Sequence, residues 1–376
     1  METRKLYYED CNMREFTATV TGCLQTDKGW AVTLDATAFY PEGGGQACDL
    51  GTLGDALVLD VREQGQQVVH LCDKPVSGTV TGKLDWSRRF DLMQQHSGEH
   101  ILSGLIHEAF GYHNVGFHIG GEFMEVDFDG PITWEQLMAL EEKANRAIWD
   151  NLPIRSSYPA PEVLAQIPYR SKKALDWPVR IVEVPGIDTC ACCGVHVATT
   201  GQIGLIKALS CVKFHQGVRI QMVCGGRAYR YMGRIFEQNR QISQLFSAKP
   251  HETYDAAQRF SQQLATEKFR ATALQKRVFD TIAANYAGQG NVVHFEEDLA
   301  PGAVRELTDK LAAVCGGTAT VLSGTDQAGY SICILGPDAK ELGSALTKAF
   351  PGRGGGKSGT FQGSIQATRE QLLAYF

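Results

Sequence analysis

Nowhere in the 376 residues is there a run of about 18 apolar, uncharged residues, the length a membrane-crossing helix requires. The opening Met-Glu-Thr-Arg-Lys-Leu-Tyr-Tyr has no apolar core of the kind a secretory signal needs, so a chain that neither crosses nor anchors in a membrane is expected. Low-complexity segments and internal repeats are also missing, which removes the disordered and repeat-built classes. Cysteine is not scarce, but eleven is an odd number, and Cys23, Cys315 and Cys333 lie among apolar neighbours in a long chain. That distribution excludes a secreted disulfide scaffold and points to a reducing, cytoplasmic compartment. A complete phosphate loop is absent as well. Arg353-Gly-Gly-Gly-Lys-Ser358 comes close, but G-x-x-x-x-G-K-[ST] needs Gly at position 351, where this chain has Pro351. Nucleotide hydrolysis is set aside, while a glycine-rich loop that lets an RNA backbone come close stays open.

What is present is an ordinary globular composition, 43% hydrophobic and 21% charged, in a chain too long for one comfortable core. Two to four domains are expected. The net charge of −6 argues against nucleic acid only in bulk. Residues 225–290 hold ten Lys/Arg against five Asp/Glu, whereas residues 1–224 hold nineteen against twenty-eight, so a basic middle is concealed inside an acidic chain. A solvated helix surface would give the same count.

The fold expected is α+β and multidomain. Residues 1–84 read as a β-barrel-like domain, because Glu15–Gly22, Trp30–Asp35 and Ala56–Val61 alternate apolar and polar residues between Gly, Asp and Pro. Residues 85–227 read as α+β. Asp85 can cap a helix that runs to about Phe110 and stops at Gly111, and Thr133-Trp-Glu-Gln136 is a capping box for a second helix. Strands are expected at 115–119, 124–128, about 180–184 and 219–223. Residues 228–286 suggest a helical hairpin interrupted at Ser247–Pro250, and residues 287–376 a small α/β domain.

Two short stretches carry the chemistry. In His96-Ser-Gly-Glu-His100 two imidazoles four residues apart on a helix share one face, a preformed half of a metal site. In Cys192-Cys-Gly-Val-His196 a thiol and an imidazole are again four apart, among three cysteines in four residues. A histidine pair alone is often just two solvated side chains, and His107 on the same stripe reads that way. Together the two stretches supply a Cys/His₃ set. A third stretch, Thr37-Ala-Phe-Tyr-Pro-Glu-Gly-Gly-Gly-Gln46, has three glycines that suit close approach by a ligand or, equally, a mobile turn.

With these three stretches and the glycine-rich end in view, the chain resembles the alanyl-tRNA editing proteins, specifically the long form of the AlaX family. That family is itself similar to the editing and C-terminal (C-Ala) regions of alanyl-tRNA synthetase. The resemblance covers essentially the whole chain, and Thr200-Gly-Gln-Ile-Gly204 behind the second stretch adds to it. It implies that residues 85–227 form a zinc-binding editing domain with one Zn²⁺ per chain on His96, His100, Cys192 and His196. The usual family stretch is Cys-Gly-Gly-Thr-His, so Cys193 occupies a glycine position, and Cys190 and Cys193 stay open as competing ligands. It implies that Gly43, Gly44, Gly45 and Gln46 lie by the substrate pocket and that Thr37 reads the substrate's side-chain hydroxyl. The implied reaction is deacylation of misacylated tRNA(Ala), serine above all with glycine as the second candidate, in the cytoplasm. The implied tRNA contacts are Arg353, Gly354, Gly355, Gly356 and Lys357 in a C-Ala-like domain spanning 287–376, and the resemblance allows a homodimer through that region.

Two rival readings share the metal: a hydrolase of another ester or amide, and an RNA-binding protein in which Cys/His₃ is a closed structural zinc. Four protein ligands would close a tetrahedral site, whereas three plus water is the usual catalytic arrangement, so the role of the ion is not fixed by the ligand count.

Overall fold

Alternation along Glu15–Thr26 and Ala56–Gln64 sends one row of side chains inward and the other to solvent. Six strands (Glu15–Thr26, Gly29–Leu34, Gln67–Cys72, Ala56–Gln64, Gly51–Leu53 and Thr79–Leu84) hydrogen-bond in that order, and the last pairs back to the first. The closed ring leaves no free edge. Phe16, Val32, Leu34, Phe39, Val58 and Val68 fill its interior. The computed structural model from which these positions come describes residues 2–171 and 178–376.

The chain falls into two compact units, Met1–Gln241 and Ile242–Phe376. In the first, the helix Trp86–Phe110 is the axis. Asp85 accepts the Arg88 N–H at 3.1 Å to start it, and Gly111, with φ of 73°, ends it. Every residue from Leu92 to Ile106 is buried, including Gln94, Gln95, His96, Ser97, Glu99, His100 and Ser103. Polar groups so placed need partners. Gln95 finds one by pairing both ways with the Cys224 backbone, donating to its carbonyl at 3.0 Å and accepting its N–H at 2.8 Å.

Around this helix lie an antiparallel sheet in the order Ile206–Phe214, Gly217–Cys224, Met124–Phe128, Asn114–Ile119, and the helix Trp134–Trp149, opened by the Thr133/Gln136 capping box. A smaller sheet, Arg155–Ser157, Ile181–Val184 and Asp188–Ala191, delivers Cys192 directly from its last strand. The connection expected between residues 184 and 219 thus contains two further strands, Asp188–Ala191 and Ile206–Phe214. A buried ion pair ties the 37–49 loop to the axis: Arg89 Nε donates to Asp49 at 2.8 and 2.9 Å, and Asp49 accepts the Tyr40 N–H at 2.6 Å.

The helix Gly225–Phe246 runs through the boundary at Gln241 into the second unit, and Thr253–Ala284 begins after a break at residues 247–252. In the second unit a five-stranded sheet runs in the order Gly290–Glu296, Gly316–Thr325, Gly329–Leu335, Thr360–Ile365, Gly352–Gly355, with only the first pair parallel. Its helices are Pro301–Cys315, Ala339–Ala349 and Arg369–Tyr375. The glycine-rich end is therefore an exposed edge strand hydrogen-bonded to Thr360–Ile365, where a loop was expected. The mixed α+β class holds. Among the described residues no helix is long and apolar enough to cross a membrane.

Candidate metal centre

His96 and His100 leave one face of the axial helix a turn apart, and Glu99 and Ser103 extend that face. Cys192 and His196 arrive from the end of the strand Asp188–Ala191. One donor atom from each of His96, His100, Cys192 and His196 lies within 4.8 Å of the others, with Cys192 Sγ 3.5 Å from His96 Nε2.

Each ring is oriented through its other nitrogen. His96 Nδ1 lies 2.8 Å from Gln46 Oε1, His100 Nδ1 3.0 Å from Asp188 Oδ2, and His196 Nδ1 3.2 Å from Ser97 Oγ. An amide oxygen and a carboxylate can only accept, so His96 and His100 donate there and keep their Nε2 lone pairs for the centre. His196 Nε2 is buried with no hydrogen-bond partner among the described residues, an arrangement that costs free energy unless a ligand completes it. Burial opposes a thiolate at Cys192, but His96 and His100 hold its thiol well below the ordinary value. Burial likewise disfavours charge on His100, yet Cys192 and Asp188 raise its imidazole well above the usual value, so its Nε2 lone pair would serve a metal only once the ion displaces that proton. At His196 burial, then the neighbouring His100 and His96, push the pKa down to about 3, leaving a neutral ring. A thiolate and imidazole nitrogens, each fixed from behind, fit a divalent metal that takes nitrogen and sulfur.

The loop that brings Cys192 and His196 is clamped from outside. Arg180 Nη1 donates to the carbonyls of Cys192 at 3.0 Å and Gly194 at 2.8 Å, its guanidinium lying 4.5 Å over the Tyr8 ring. The Tyr8 hydroxyl donates to the Cys193 carbonyl at 2.6 Å. A Cβ on Gly194 would stand 2.1 Å from His96 Cε1, so only glycine lets the loop pass this ring.

A cavity of about 510 Å³ opens over the donors, walled by Gly44, Gly45, Glu99, Phe117 and Arg170. Of the residues singled out in the sequence, Gly44 and Gly45 line it, and Gly45, at φ of 82°, passes so close to Phe117 that a Cβ would lie 2.5 Å from the ring. Gln46 is fully buried and faces His96. Thr37 lies away from the cavity, inside the closed sheet, its hydroxyl engaged by His70 Nε2 at 2.8 Å and by the Phe39 N–H at 3.1 Å. Cys193 is exposed and outside the donor cluster, while Cys190 is buried and forms a second donor group with His100 and Asp188. His107 bonds the Tyr112 carbonyl at 3.1 Å instead. Arg353–Lys357 are exposed in the second unit. Sequence reasoning passed over Ser97 and Glu99, although both sit inside the first motif. It also missed Asp188, Arg170 and Arg180, whose roles depend on partners far along the chain.

Residues 179–220, which include the second motif, match the family described as "Threonyl and Alanyl tRNA synthetase second additional domain". The chain is 31% identical to the alanyl-tRNA editing protein Aarsd1 of Rattus norvegicus, over 95% of this chain and 93% of that protein. It is 29% identical to Aarsd1-A of Xenopus laevis over 91% of this chain and 86% of that one. The alanine–tRNA ligase of Thermofilum pendens is 30% identical over 98% of this chain, which spans 43% of the ligase's length.

Proposed function

The chain belongs to the AlaX-type alanyl-tRNA editing proteins, and on that premise we propose that it is a trans-acting deacylase. Its substrate is the ester joining a wrong amino acid to the 3′ end of tRNA(Ala), serine above all and glycine second, and its cofactor is one zinc ion per chain. The observation that carries this reading is the convergence of His96, His100, Cys192 and His196 beneath a cavity, each ring set by Gln46, Asp188 or Ser97.

Serine exceeds alanine by one hydroxyl, and an activating pocket rejects such an addition by only about 100-fold. A second site that binds the hydroxyl makes the distinction the first cannot. Zinc bound here would supply polarisation of the ester carbonyl or a water of lowered pKa. The protein's own share is orientation. Gln46 fixes His96, Asp188 fixes His100 with Arg170 behind it at 2.7 and 2.9 Å, and the turn at Gly43–Gly45 lets the terminal nucleotide approach the backbone. The basic stretch 225–290 and the exposed Arg353-Gly-Gly-Gly-Lys357 edge are assigned to the tRNA body, where phosphate contacts add affinity without chemistry. The work belongs in the cytoplasm, with pairing of two chains through the C-terminal region as a further assignment.

Release of serine from seryl-tRNA(Ala), with alanyl-tRNA(Ala) as control, tests the activity, alongside metal analysis under reducing, chelator-free conditions. About one zinc per chain is expected, largely lost in His100→Ala and Cys192→Ala and retained in Cys193→Gly. A metal-free wild type, or zinc retained with no serine release, would reject the reading.

A further inference from the structure

Within the first unit, a groove of about 710 Å³ is lined by Gly121, Glu122, Arg227, Arg230, Gly233 and Arg234 and shares no lining residue with the donor cavity. Arg227 is committed: its guanidinium donates to Asp91 at 2.6, 2.9 and 3.0 Å and to the Gly120 carbonyl at 2.6 Å. Glu237, one turn beyond Arg234, is committed too, accepting from Arg240 at 2.7 and 2.8 Å and from Gln241 at 3.1 Å. Arg230 and Arg234 are exposed and lie four residues apart on one helix face. Neither has a hydrogen-bond or ion-pair partner among the described residues. Against these two free cations stands one uncommitted carboxylate on the groove wall, Glu122. Between them Gly233 presents bare backbone, with open space where a Cβ would be.

We propose that Arg230 and Arg234 bind backbone phosphates of the unpaired 3′ strand that carries the ester. This deepens the deacylase reading, rests on it, and moves these two residues of the basic stretch from the tRNA body to its reacting end. The placement follows from chain geometry. Phe117 walls the donor cavity and Gly121, four residues later, lines the groove, so at most about 14 Å of chain separates them. Stacked nucleotides rise about 3.4 Å each, so that span is about four nucleotides. A strand whose terminal ester sits over the donors therefore reaches the groove with its last few phosphates. Arg230 and Arg234 are about 6 Å apart along the helix, the rise of about two nucleotides, so each meets a different phosphate. The guanidinium fork suits that partner, because it offers two parallel N–H groups to one phosphate. Arg227 keeps groove and donor cavity in register through Asp91, on the axial helix, and Gly120, at the end of the strand Asn114–Ile119.

The test measures binding, so it stands apart from the chemistry. The full zinc-loaded chain is titrated with an uncharged hairpin of the tRNA(Ala) acceptor stem, with or without its unpaired 3′ nucleotides. Wild type at low salt should bind the complete hairpin about 10-fold more tightly than the blunt one, the scale of two exposed ion pairs. Arg230→Gln combined with Arg234→Gln should bring the two hairpins to within about twofold and leave zinc content and Tm in place. For the complete hairpin, the slope of log affinity against log salt should flatten by about 1.4, as two single-strand phosphate contacts are lost. Glu122→Gln, which removes the opposing charge, should tighten the complete hairpin about threefold, and decides the matter should the double variant not fold. A wild type that binds both hairpins equally overturns the subsite, as does an unchanged preference in the double variant. So does displacement of the complete hairpin by millimolar inorganic phosphate at constant ionic strength, which marks a site for the free ion. Preference without serine release from seryl-tRNA(Ala) overturns the deacylase reading and with it the placement of an ester over the donors.

Discussion

Outside the donor cluster, His70 shows how a single residue's surroundings fix its protonation and its neighbour's role. Its Nδ1–H donates to the Val32 carbonyl at 3.1 Å, so Nε2 is the acceptor for the Thr37 hydroxyl at 2.8 Å. Burial pushes its pKa down to about 4. In the unfolded chain an ordinary histidine titrates near 6.5, so between about 6.5 and 4 the unfolded state binds the extra proton. The stabilisation is therefore complete above the unfolded value and is lost as pH falls through that window, to a total on the order of 3 kcal/mol. Urea unfolding from pH 7.5 to 4 should show a steeper loss of stability in wild type than in His70→Leu, by close to one proton. Equal slopes would mean that His70 is charged in the fold. The same bonds explain why Thr37 and Gln46, nine residues apart in one loop, face different places: Thr37 turns toward His70 and Gln46 toward His96.

At the level of elements, the axial helix and its partners carry the site, and the weak point is one ion pair. Arg89 and Asp49 are 0% and 1% exposed, and Asp49 also holds the Tyr40 N–H, so this pair sets the height of the 37–46 loop and with it Gln46 behind His96. Removing one partner of such a pair leaves a buried charge and typically costs about 3–5 kcal/mol. Asp49→Ala should lower urea stability by that amount and reduce zinc retention as well. A variant destabilised by less than about 1 kcal/mol would show that water reaches Arg89. Element ends were legible where local chemistry marks them: Asp85 and Gly111 bound one helix, and Thr133 and Gln136 open another. The strand Asp188–Ala191 was not, because Asp-Thr-Cys-Ala lacks the branched apolar residues that mark Ile181–Val184 at the same length. Nor was Gly352–Gly355, since glycine has no strand preference and pairing with Thr360–Ile365 supplies the order. The three histidines that converge could be read from spacing within the two motifs, with the choice among Cys190, Cys192 and Cys193 left open, but Asp188, which orients His100 from 88 residues away, has no local signature.

For the whole molecule, the candidate site and the exposed glycine-rich edge fall in different units. The metal donors and cavity all lie before Gln241, and the Arg353–Lys357 edge lies after it. Phosphate contacts remote from the ester add binding shared equally by ground state and transition state, which changes KM and not kcat. In the full chain, Arg353→Ala combined with Lys357→Ala should therefore raise KM for misacylated tRNA several-fold at near-physiological salt with kcat within about twofold. The salt dependence gives an independent reading: each lost phosphate contact flattens the slope of log affinity against log salt by about one. A slope reduced by about two, with zinc content and serine specificity unchanged, assigns the edge to the tRNA body. Unchanged KM and slope would leave these residues without a part in tRNA binding, and the basic helices at 225–290 would then be the surface to neutralise next.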